Sequence, residues 1–88
     1  MKITRITSHV LGYDLPEALG YSQQYYKKRT AHLVEVETDE GLTGWGECFG
    51  AGNIAVANKG IVEKVIQPMV LGMDPMDRDV IWHKVYNL

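Results

Sequence analysis

The stretch that most constrains this chain is Ala31 to Cys48, AHLVEVETDEGLTGWGEC. It opens with alternating, β-prone residues, breaks at Thr38-Asp39-Glu40-Gly41, and resumes in an extended pattern from Leu42 to Glu47. Two strand-like runs around a short Asp/Gly connection predict a hairpin. The connection exceeds two residues, so a turn with Gly41 at positive φ is expected. Side chains alternate along a strand, which puts His32, Val34 and Val36 on one face and Leu33, Glu35 and Glu37 on the other. In the second arm Thr43, Trp45 and Glu47 share a face, and Gly44 and Gly46 leave the opposite one bare. Two glycines beside a tryptophan weaken a strand, so close approach of another backbone, or a bend, is expected there.

The rest of the chain is organised around this hairpin. Lys2 to Leu15 reads as a first strand with a bulge, because Ile3, Ile6, Val10 and Leu11 break strict alternation, and Pro16 is expected to end it. Glu17 to Arg29 is polar and aromatic and reads as a long loop. After a glycine-bounded turn over residues 49–52, Asn53 is expected to cap an amphipathic helix over Ile54–Gln67. Ile54, Ala57, Ile61, Val62 and Val65 form its apolar face. Gly60 weakens that helix, Pro68 kinks or ends it, and Gly72 closes the region. Asp74-Pro75 predicts a second helix start with Asp74 as the cap, Pro75 in first position and Asp77 in the first turn. Val80, Ile81, Trp82, Val85 and Leu88 supply its apolar side. Three antiparallel strands followed by helices make an α+β domain. No stop signal follows the second helix, so the natural sequence is expected to continue past Leu88.

Composition narrows the function classes. Eighty-eight residues make one domain at most, with limited capacity to bury surface. A net charge of −2 gives no footprint for nucleic acid or an anionic membrane. No apolar run approaches the ~20 residues that span a bilayer. No signal-peptide pattern opens the chain, and the single Cys48 cannot form an internal disulfide. A soluble cytoplasmic protein is therefore expected. His9, His32 and His83 lack the spacing of a zinc site. Gly44-Trp45-Gly46 followed by Gly50 misses the dinucleotide-binding spacing and lacks a βαβ setting.

The run LVEVETDEGLTGWGE resembles the first domain of the enolase superfamily, in the mandelate racemase and muconate-lactonising branch. Gly41 to Glu47, GLTGWGE, carries most of the likeness. Asn53 to Gly72 and the segment GMDPMDRDVIWHKVY from Gly72 to Tyr86 support it in the same order. The resemblance implies a three-stranded meander with a small helical bundle, an N-terminal domain that caps a TIM-type barrel. Residues 1–88 would be that substrate-capping domain, and a barrel of ~250 residues would lie beyond it. Family members abstract a proton α to a carboxylate and stabilise the enediolate with Mg²⁺. By resemblance the metal ligands and the acid and base residues belong to the barrel, so residues 1–88 alone are expected to be inactive.

What the resemblance assigns to this chain is specificity, through the loops after the first and third strands, which close over substrate and exclude water. Tyr21, Tyr25, Tyr26 and Lys28 are the candidates in the first loop, with Arg29 tethered to the sheet. Tyrosine hydroxyls suit a hydroxylated substrate and a cation suits a distal carboxylate or phosphate. Phe49 and Asn53 are the candidates in the second. The plainer reading is a solvated loop and a helix cap. Glu47 is expected to organise the domain junction, Trp45 and Trp82 to be core or interface, and Cys48 to be a buried small apolar residue. Met69, Met73 and Met76 are expected to pack at a helix junction. The polar Tyr/Lys/Arg loop favours an acid-sugar dehydratase. A racemase or cycloisomerase of the same superfamily is the alternative, and a non-catalytic α+β interaction module the rival from another class. A small carboxylate substrate, the chain's own barrel and further copies of itself are the expected partners.

Overall fold

The computed structural model describes residues 1–21, 24–50 and 52–87, and the side chains of these outside 13–28. Strands β1 (Ile3–Tyr21), β2 (Gln24–Thr38) and β3 (Thr43–Cys48) form one antiparallel sheet in the order β1-β2-β3. Helix α1 (Asn53–Gly60) runs into a wider π-helical segment (Ile61–Ile66) and then a last turn, α2 (Gln67–Val70). Helix α3 (Arg78–Tyr86) follows after a turn region. The α+β architecture is the expected one.

The hairpin is built as its sequence predicts. His32 to Glu37 pair with Cys48 to Thr43 in unbroken register. The turn places Gly41 at φ 79°, where any Cβ is strained. Thr38 closes it by accepting the Leu42 N–H at 3.2 Å and donating its hydroxyl to the Leu42 carbonyl at 2.8 Å. Gly41→Val should therefore destabilise the protein by about 1–3 kcal/mol. Glu40→Ala, in the same exposed turn, should change little: it removes only a surface ion pair, the 3.0 Å contact of Glu40 with the Met1 ammonium. Glu40 holds that ammonium above its ordinary pKa, first through the hydrogen bond and then through charge. Equal urea midpoints for the two variants would show that the turn does not depend on Gly41.

The first strand does not end at Pro16. β1 continues to Tyr21 and β2 begins at Gln24, so most of the predicted loop over 17–29 is a paired arm. Pro16 is accommodated by a bulge: the register passes from Asp14↔Lys28 to Leu19↔Tyr26, so that residues 15–18 face residue 27 alone. β1 is an edge strand, where a residue without an N–H costs no ladder bond on its free side. β-prone residues such as Tyr25, Tyr26 and Thr30 favour pairing on the opposite arm.

An edge strand exposes a row of unpaired backbone groups, and this one is covered along its inner half. The Ile3 N–H donates to the Met73 carbonyl and Gly72 N–H donates to the Ile3 carbonyl, both at 2.8 Å. The Ile6 N–H donates to Gln67 Oε1 at 2.7 Å, and the Ser8 N–H to Glu63 Oε2 at 2.9 Å. Lys59 Nζ reaches the Ser8 carbonyl at 3.5 Å. Lys59, Glu63 and Gln67 thus form an i, i+4, i+8 stripe lying along the strand edge.

The core lies between the sheet and the helices. Ile3, Ile6, Val62 and Val70 are buried, with Val34, Val36, Cys48, Ile66, Met69, Met73, Ile81 and Val85 packed around them. This corrects the expected helix face: Ala55, Val62, Ile66 and Val70 turn inward, whereas Ile54, Ile61 and Val65 are exposed. Apolar residues encircle this helix, so periodicity could not choose the side. The stripe that binds the β1 edge chooses it. The helix also runs past Pro68 to Val70. The wider turn over Ile61–Ile66 accommodates a ring that would otherwise strike the carbonyl one turn back.

Further expectations change. Gly52, not Asn53, occupies the cap position of α1, and no side chain caps it. Helix α3 starts at Arg78, not Pro75. Asp74 Oδ1 instead accepts the Met76 N–H at 2.9 Å, a local turn that uses up the predicted cap. Trp45 and Trp82 are 60% and 59% exposed, so neither belongs to the core. Trp45 lies 5.6 Å from the His9 ring and Trp82 stacks on Tyr86 at 4.9 Å. Val80 and Met76 are exposed as well. Among the described residues no other backbone closes on the bare face of β3, where a Cβ on Gly44 or Gly46 would meet nothing within 4 Å, so of the two expected causes close approach falls away. Gly46 instead borders an open apolar cleft of about 730 Å³ between the sheet and α3, walled by residues such as Val34, Ile66, Ile81 and Trp82.

Candidate functional site

Antiparallel order sends the C-terminal end of β1, the N-terminal end of β2 and the C-terminal end of β3 to one end of the sheet. The β1–β2 arm and the β3–α1 connection therefore leave from the same end. The predicted site residues lie on these two segments or, for Asn53, at the first position of α1. At the base, Cys48 pairs with His32 in the last rung of the β2–β3 ladder. Gln24, at the far end of the arm, stands eight residues beyond that rung, about 26 Å at strand rise.

Along the arm, Lys28 pairs with Asp14, Tyr26 with Leu19, Tyr25 with Gly20 and Tyr21 with Gln24. The expectation that these residues sit on a loop is corrected to a strand. The expected role of their side chains, those of Tyr21, Tyr25, Tyr26 and Lys28, falls outside the described residues. Phe49 and Asn53 are at the base. The Phe49 side chain is 94% exposed, and Asn53 is exposed in the first turn of α1. In backbone position Phe49 and Asn53 stand near the base rung, and Tyr21, Tyr25 and Tyr26 lie farther out along the arm.

Two features at the base have little signal in the sequence. Asn58 donates from Nδ2 to the Phe49 carbonyl at 3.0 Å, which pins the connection to α1. His32 is fully buried beneath the same region. Its Nε2 lies 2.8 Å from Ser8 Oγ, and Nδ1 has no partner among the described residues. A mid-helix asparagine and a histidine in line with Val34 and Val36 are the only sequence signals. On the opposite face, His9 Nε2 meets Glu35 Oε1 at 2.9 Å beside Trp45, with His9 and Glu35 partly exposed. Glu47 is exposed, and its side chain makes no hydrogen bond or ion pair among the described residues.

The implied Mg²⁺ does not fit these residues. No group of three or more His, Cys, Asp or Glu side chains that could hold a metal ion occurs among the described residues. No helix among them is long and apolar enough to cross a membrane. What the arrangement offers is an exposed aromatic on a pinned backbone at the foot of a long arm.

Residues 7–88 match the family described as mandelate racemase / muconate lactonizing enzyme, N-terminal domain. The chain is 34% identical over 87 residues to the D-galactarolactone cycloisomerase of Agrobacterium fabrum, covering 99% of this chain and 22% of that protein. It is 31% identical over 87 residues to the D-galactonate dehydratase of Ralstonia pickettii, covering 99% of this chain and 18% of that protein. The crystal structure of an enolase superfamily member from Polaromonas sp. JS666 superposes with a TM-score of 0.89 at 35% identity, over 100% of this chain and 23% of that one. The chain spans about a fifth of the length of the curated relatives it matches.

Proposed function

The chain belongs to the mandelate racemase / muconate lactonizing enzyme family, whose N-terminal domain it matches, and from that premise we propose that it caps the active site of a larger enzyme acting on a sugar acid. The observation that carries the reading is the common exit of the β1–β2 arm and the β3–α1 connection at one end of the sheet. Two segments leaving together can fold over one ligand. The proposed barrel of the complete protein holds the Mg²⁺ and the acid and base groups. Residues 1–88 bind, orient and exclude water. Association with further copies of the protein is part of the same proposal.

Both kinds of curated relative named above carry sugar-acid names, which supports that substrate class. Dehydration is our first reading, on the polar arm: the proton α to the carboxylate is removed, the β-hydroxide leaves, and the enol tautomerises to a 2-keto acid. Cycloisomerisation of a sugar-acid lactone is the second, favoured by the Agrobacterium relative. The complete protein, incubated with Mg²⁺ and a panel of aldonates, aldarates and their lactones, should release a 2-keto acid from at least one of them. Isomerised lactone without 2-keto acid would select the second reading, and no turnover of any sugar acid would overturn both.

In the complete protein, Tyr26→Phe, Lys28→Ala or Phe49→Ala should lower kcat/KM by about tenfold or more, a loss of ~1.4 kcal/mol. The melting temperature should hardly move, because none of these removes core. Unchanged kinetics in all three would take both segments out of the active site. A large fall in melting temperature would make them structural.

A further inference from the structure

We infer that Asn58 is the positioning residue of the β3–α1 connection, holding Phe49 at the rim of the ligand site; this rests on the reading of that connection as part of the cap. The connection is anchored at one end by the Cys48–His32 rung and at the other by the start of α1 at Asn53. The bond from Asn58 Nδ2 to the Phe49 carbonyl, at 3.0 Å, is the one side-chain hydrogen bond across it among the described residues. The backbone is shaped to admit that bond. Gly50 lies at φ 152°, and a Cβ there would stand 3.1 Å from Asn58 Nδ2 and 3.0 Å from Ile54 Cγ2. Any side chain at position 50 would press on the amide that makes the clamp.

Asparagine is a poor helix former because its amide competes for backbone groups. Here the amide leaves its own helix to hold a carbonyl nine residues back. With its carbonyl held, Phe49 presents an almost fully exposed ring. An exposed aromatic on a fixed backbone loses little conformational freedom when a ligand arrives, so the clamp favours binding by preorganisation.

The test uses the complete protein with Asn58→Asp, Asn58→Ala, Asn58→Gln and Phe49→Ala. Asn58→Asp keeps the shape but, as a carboxylate, can only accept, so it cannot hold a carbonyl. It should behave like Asn58→Ala. In both, amide hydrogen exchange over residues 49–52 should accelerate by about tenfold or more, with exchange elsewhere in the domain unchanged. KM for the sugar acid should rise about fivefold or more with kcat nearly constant, the pattern of lost binding. Asn58→Gln, which keeps a donor amide, should recover part of both effects. Unchanged exchange in Asn58→Asp and Asn58→Ala would overturn the clamp. Faster exchange with normal KM, while Phe49→Ala raises KM, would overturn its positioning role. Faster exchange with normal KM in every variant, Phe49→Ala included, would leave the clamp standing as a structural bond and overturn instead the placing of this connection in the cap.

Discussion

His32→Ala should lower the unfolding free energy by about 3 kcal/mol, since it combines a core truncation with the loss of a buried hydrogen bond. His32 is 0% exposed in the face of β2 that carries Val34 and Val36. Its Nε2 and the Ser8 hydroxyl share a hydrogen bond at 2.8 Å, and Ser8 is itself buried with its N–H on Glu63. Truncation opens a cavity and leaves the buried Ser8 hydroxyl without its His32 partner. Ser8→Ala removes a smaller volume and should cost about 1–2 kcal/mol. The double variant should fall short of the sum by about 1 kcal/mol, because the two singles break the same bond. Urea unfolding of the four proteins checks this. Strict additivity would mean that the pair is not coupled, and a wild-type midpoint for His32→Ala would mean that the site is not closed.

Ile6→Ala should cost about 2–5 kcal/mol, the range for truncating a buried isoleucine that cannot be replaced by collapse. Ile6 is 7% exposed, lies in the central cluster, and has its backbone N–H fixed by Gln67. The strand cannot move to fill the gap without breaking that bond. Ile81→Ala is the internal comparison. Ile81 also packs on the cluster, but it forms a wall of the open cleft beside α3. In the 88-residue chain its loss should cost only about 1 kcal/mol, because a side chain already facing water forfeits less on truncation. Equal midpoints for the two variants would show that the cleft is closed and the core extends through it.

The family was legible because its marks are local. A β-turn that needs positive φ and the alternation from His32 to Glu37 are properties of neighbouring residues, and both survive into the structure. The end of the first strand was not legible. Pro16 reads as a stop if the partner strand is unknown, and as a tolerable bulge once β1 is seen to be an edge. The same limit applies to Asp74, whose carboxylate could cap a helix or close a turn, and closes a turn.

At the candidate site, the residue types and segments were open to sequence reasoning, whereas the contacts were not. Phe49 belongs to a connection, and Asn53 to the helix start after it, that any three-stranded meander leading into a helix would place there. Asn58 reads only as a weak helix former until the Phe49 carbonyl is brought beside it. By itself the sequence determined the strand order, the Gly41 turn and the family. Tertiary structure alone decided which side of α1 is buried, because apolar residues surround that helix and carry no preference. The choice was made by Lys59, Glu63 and Gln67 satisfying the free edge of β1, groups more than fifty positions away that must be paired once water is excluded.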